Sequence, residues 1–119
     1  MVTGGNDYFY AHYGYNANAT TESSRGNPTS YIRLAPDLSN QTPLFYSGQI
    51  YLYNPNDSTI RTNITYQFAG VGNNDTTNFR TTIGGGCNTW TNSLTGLNFN
   101  AQGSSTIANF QATVYGLTP

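Results

Sequence analysis

Hydrophobic and polar residues in this chain alternate with a period of two. In residues 47–57, S-G-Q-I-Y-L-Y-N-P-N-D, Gln49, Tyr51 and Tyr53 interleave with Ile50 and Leu52, the pattern of a strand whose two faces meet different surroundings. Pro55, with φ preset and no N–H for a ladder, stops it, and Asn54 is placed to close an Asx-type bond. The register predicts Ile50 and Leu52 buried and Tyr51 and Tyr53 turned to solvent, a sheet edge or another subunit.

The same period recurs along the chain. Residues 8–15, Y-F-Y-A-H-Y-G-Y, are rich in aromatics suited to a pleated surface and read as a strand. Residues 16–30 are polar and punctuated by Gly26, Asn27 and Pro28, which predicts a long loop. Residues 31–35 alternate again, with Ile32 and Leu34 on one face, and predict a strand ended by Pro36. A polar connection follows over residues 37–43. Gly48 suggests a bulge or a close backbone approach. Residues 60–68 set Ile60, Ile64, Tyr66 and Phe68 against Arg61, Asn63, Thr65 and Gln67, the expected antiparallel hairpin partner of the 47–55 strand. A loop over residues 70–75 leads to a short threonine-rich strand at 79–83, bounded by Gly84-Gly85-Gly86. After a Gly103-Ser104-Ser105 turn, Phe110, Ala112 and Val114 mark the inner face of a last strand. Apolar residues nowhere recur at three and four over a helical window, so no substantial helix is expected. Six or seven short strands with long polar loops describe an all-β, antiparallel β-sandwich or small barrel.

Length and composition narrow this. A chain of 119 residues fits a single domain spanning residues 1–119. Only 8% of residues are charged and the formal net charge is -1, against about a quarter charged in ordinary soluble domains. Weak mutual repulsion favours association, so a homo-oligomer is expected. Arg25, Arg33, Arg61 and Arg80 are scattered and no lysine supports them, which sets nucleic acid aside. No apolar run has membrane-spanning length, and residues 1–5 carry neither part of a signal peptide, so the reading is soluble and unexported. Cys87 is the single cysteine and excludes an internal disulfide. N-x-S/T triplets begin at Asn18, Asn40, Asn56, Asn63 and Asn74, about as many as so much Asn, Ser and Thr produces by chance.

Candidate chemistry is sparse. Any Ser-His-Asp or Cys-His arrangement would have to use His12, the only histidine, and no G-x-S-x-G elbow is present. Asp7, Glu22, Asp37, Asp57 and Asp75 are widely spaced, and no local pair suits acid–base work. Asn56-Asp57-Ser58 and Asn73-Asn74-Asp75 lack calcium-loop spacing. The glycine runs lack the Lys-Ser/Thr of a phosphate loop and the third glycine and helix of a dinucleotide site. No catalytic residue, metal or cofactor is therefore expected. Tyrosines and Trp90 remain as groups able to stack on sugar rings or anchor a protein partner, and Tyr13, Tyr15, Tyr51, Tyr53 and Trp90 are the candidate interface or glycan contacts.

The order of motifs adds a family likeness. S-G-Q-I-Y-L-Y-N-P-N, then G-G-G-C-N-T-W-T-N-S-L-T-G-L-N-F, then F-Q-A-T-V-Y-G-L resembles bacteriophage virion-associated β-sandwich domains, over about two-thirds of the chain from Ser47 onward. In that family a "G-x-I-Y-x-x-N-P" strand precedes a Gly-rich segment with an aromatic and a final strand ending in "Y-G-I/L". The resemblance implies a jelly-roll-like domain without catalytic residues, located in the virion on capsids or tail fibres. It also implies contacts with other capsid or tail proteins. Family members carry further strands upstream of the segment equivalent to residues 4–8, where this chain begins, so a fragment, a smaller sandwich or strands from a neighbour are the alternatives. The resulting expectation is a non-enzymatic capsid decoration or cement protein acting as an oligomer. The alternative is a tail-fibre receptor-binding domain recognising host glycans.

Overall fold

The aromatic stretch at residues 8–15 forms a strand next to the middle of the sheet, and the rest of the chain packs outward from it. A computed structural model describes residues 7–17, 21–35, 46–71, 79–100, 107 and 109–116. The N-terminal residues 1–6, the 37–43 connection, residues 72–75 of the expected loop and the Gly103-Ser104-Ser105 turn lie outside these. Five antiparallel strands, β1 (Tyr8–Asn16), β2 (Thr21–Thr29), β3 (Tyr46–Tyr53), β4 (Asn63–Val71) and β5 (Phe79–Asn88), make one sheet in the order β2-β1-β5-β4-β3. Among the described residues there is no helix, hence none long and apolar enough to cross a membrane. The all-β, antiparallel expectation holds, with one sheet among the described residues where a two-layer sandwich is expected.

Several element boundaries differ from expectation, each for a tertiary reason. Residues 21–29, expected as loop, are β2, which pairs with β1 from Tyr8↔Thr29 to Tyr15↔Thr21 with a register shift between Tyr8 and Tyr10. An edge strand on a tyrosine-rich neighbour needs no apolar alternation of its own, and an edge is where Pro28 can lack an N–H. The triple glycine does not end β5, which runs through it to Asn88, paired with β1 on one side and β4 on the other. Glycine is required there by crowding: a Cβ on Gly84 would lie 2.5 Å from the Tyr66 ring and 2.7 Å from His12 Cβ. Gly48 likewise marks close approach, its Cβ position lying 2.5 Å from Phe68 Cδ1, while the β3–β4 register runs unbroken and contains no bulge.

Residues 31–35 are not a strand. They form a strap that leaves the β2 edge and steps across the sheet strand by strand. Tyr31 stacks on Tyr10 of β1 at 6.2 Å, Ile32 reaches the Gly86 position of β5, and the Arg33 carbonyl accepts a 2.7 Å bond from the Tyr66 hydroxyl of β4. That carbonyl is satisfied by a side chain, so no ladder forms. The even-numbered face, which the strap crosses, holds the buried Tyr10, His12, Tyr66, Arg80, Thr82 and Asn88.

The β3–β4 hairpin appears as expected, with β4 beginning at Asn63; Ile60 stays exposed in the connection. Asn54 takes the left-handed conformation at φ 56 and its carbonyl accepts from Asp57 N–H at 3.3 Å. The Asx-type bond forms at Asp57, whose Oδ1 accepts from Thr59 N–H at 2.7 Å and Thr59 Oγ1 at 2.6 Å. Along β3 the predicted alternation holds, with Tyr51 and Tyr53 exposed, but Ile50 and Leu52 are only half-buried where burial is expected. The expected last strand is absent: residues 109–116 form no strand and are exposed throughout.

A candidate interaction face

The odd-numbered face of the sheet is open. Across β1, β5, β4 and β3 the pairings align Phe9, Cys87, Asn63 and Tyr53 in one row, and Ala11, Gly85, Thr65 and Tyr51 in the next. Tyr13, Ile83, Gln67 and Gln49 form a third row, and Tyr15, Thr81, Ala69 and Ser47 a fourth. Four of the five candidate residues therefore share one surface that their sequence separation conceals. Tyr13, Tyr15, Tyr51 and Tyr53 are 48%, 54%, 46% and 48% exposed, and Ile83 between them 61%. The two tyrosine pairs stand on strands three spacings apart, roughly 14 Å.

Each pair is locally braced. Tyr13 and Tyr15 meet edge to face at 5.2 Å, and the Tyr13 hydroxyl donates to that of Tyr15 at 3.1 Å. That bond, then desolvation and the neighbouring Tyr15 charge, raises the Tyr13 phenol above its ordinary range. Tyr51 donates to Gln49 Oε1 at 3.4 Å, and the Tyr53 hydroxyl lies 3.3 Å from Thr65 Oγ1. In the first two rows, beside Tyr51 and Tyr53, the missing side chain of Gly85 leaves an open groove of about 460 Å³ walled by Phe9, Ala11, Asn63, Thr65 and Cys87. The Cys87 thiol is free and half-buried. Arg25, opposite Ala11, is the one charged residue among the described positions of this face.

Trp90, the fifth candidate, lies past the end of β5, half-buried and outside these rows. Its Nε1 is buried without a hydrogen-bond partner among the described residues, as are both polar side-chain atoms of Asn88. His12 faces the opposite side of the sheet from Cys87, which rules out a Cys-His pair. Its Nδ1 lies 3.3 Å from the Arg33 carbonyl, an acceptor only, so that nitrogen carries the proton. The neighbouring Ser24 hydroxyl is engaged with Tyr10 at 3.2 Å. Among the described residues no three His, Cys, Asp or Glu side chains gather to hold a metal. Ile83, Phe79 and the Gly85 groove are the parts of this face that the residue pattern did not reveal. Phe79 and Ile83 share one parity of the expected 79–83 strand, and reading β5 on through its glycines would have added the groove.

No family model, curated protein or solved structure matches this chain.

Proposed function

We propose that this chain is a non-catalytic structural protein of a phage particle, a capsid decoration or cement protein working through copies packed against one another and the shell. In this reading it resides in the virion, and its sheet is one layer of a jelly-roll-like sandwich. The observation carrying the proposal is the open, nearly uncharged face with four half-exposed tyrosines, a composition suited to protein contact. The test is co-sedimentation with expanded capsids of the parent phage. Saturable binding that is lost in Tyr13→Ser/Tyr15→Ser and Tyr51→Ser/Tyr53→Ser supports it. A dilute monomer without affinity for such capsids refutes it.

A second reading, a tail-fibre domain recognising host glycans, draws on Tyr51 and Tyr53 standing beside Gln49, Asn63, Thr65 and the Gly85 groove. Aromatic faces stack on sugar rings while amides and hydroxyls bond their oxygens. A glycan array separates the two readings. Specific hits lost on Tyr51→Ala or Trp90→Ala favour recognition, and silence favours decoration.

A further inference from the structure

The residues 110–115, F-Q-A-T-V-Y, carry the alternation of a strand with no charge and no proline, yet belong to no strand in the folded chain. Phe110 leans on Phe99 at 4.9 Å, and beyond it Val114 and Tyr115 are 89% and 82% exposed, with open space around Gly116. Such a segment leaves both its backbone groups and its apolar side chains to water. Among the described residues β3 is the terminal strand at the far side of the sheet, so from Ser47 to Tyr53 every second residue directs its N–H and C=O outward. β3 also lacks charge and proline, the usual protections of an edge, whereas β2 at the opposite edge contains Glu22, Arg25 and Pro28.

We propose that residues 110–115 add as a strand to the β3 edge of a second copy of this chain. Phe110, Ala112 and Val114 then extend the face of the half-buried Ile50 and Leu52, while Gln111, Thr113 and Tyr115 extend the face of Tyr51 and Tyr53. The main-chain bonds supply affinity, and the two-residue alternation sets register. Neither segment carries a charge, so nothing opposes the pairing electrostatically. The contact is heterologous and generates a ring or an open string. It goes beyond the proposed particle role and requires nothing viral.

The experiment is sedimentation velocity with amide hydrogen exchange on the full chain, comparing wild type with Ala112→Pro and Val114→Asp. Both sites are exposed and outside every strand, so the sheet survives, and protection in β4 and β5 verifies it. The expected result is an oligomeric wild type at micromolar concentrations and monomeric variants, with exchange at residues 46–53 faster by about tenfold or more. A monomeric wild type, variants that remain assembled, or unchanged β3 exchange on disassembly overturns the proposal. Capsid binding is scored separately, so failure of the joint and failure of the particle role are distinguishable.

Discussion

Replacing Gly84 with alanine should weaken the fold sharply, while the same change one residue on, at Gly85, should not. On the strap side of β5 the new Cβ meets Tyr66 Cζ and Oη at 2.5 Å and His12 Cβ at 2.7 Å. His12 Cβ is tied to a backbone paired on both sides, and Tyr66, 3% exposed, is held by its bond to Arg33. Overpacking of this kind costs about 1–3 kcal/mol, and disturbing the phenol bond about 1 kcal/mol more. The reduced freedom of the unfolded chain offsets about 0.4–1 kcal/mol. The net loss is about 2 kcal/mol, which lowers a urea midpoint by roughly 1–1.5 M. A Cβ on Gly85 points into the open groove, 3.1 Å from Ile64 O and 3.9 Å from Thr65 Cγ2, and changes stability by less than about 1 kcal/mol. Urea titrations followed by tyrosine and tryptophan fluorescence, at one fixed protein concentration, measure both. If Gly84→Ala matches wild type while Gly85→Ala is the damaging change, β5 is a residue out of register and the face assignment falls with it.

Three further outcomes follow from individual side chains. Tyr66→Phe removes the donor to the Arg33 carbonyl and should cost about 1 kcal/mol in the same urea assay; a change under about 0.3 kcal/mol would mean the strap does not depend on that bond. Burial, then the nearby Tyr10 charge, raises the Tyr66 phenol, so its contribution is complete below the ordinary value of 10.0 and is lost as pH climbs through the raised folded value. An absorbance titration should show a phenol ionising only with alkaline unfolding and missing from Tyr66→Phe. Asp57 shifts the other way, lowered by its bonds from the Thr59 hydroxyl and backbone N–H. Its contribution is present above 3.8 and disappears as pH falls through the folded value, so Asp57→Asn should flatten the acid limb of the stability profile. An unchanged acid limb would remove the Asp57 turn from the stabilising features.

The two-residue alternation placed β1, β3 and most of β4, because a half-buried strand must write its environment into every second side chain. It also gave the outward direction of Tyr51 and Tyr53. It missed β2, whose partner rather than its own side chains makes it a strand, and it cut β5 short at three glycines. It assigned strand to residues 31–35, where the Arg33 carbonyl bonds to a tyrosine and a histidine instead.

The chemistry of the candidate site is carried by residue type: neutral, tyrosine-rich, with one histidine and one cysteine in the chain. Composition and parity depend only on the order of residues, so they are legible before the chain folds. Which tyrosines stand together was decided by tertiary structure. Tyr13 and Tyr51 lie far apart in the chain and share a surface because β5 and β4 intervene in a register no local pattern encodes. Packing decided the glycines in the same way, since Gly84 must be small only because Tyr66 and His12 converge above it from two other strands.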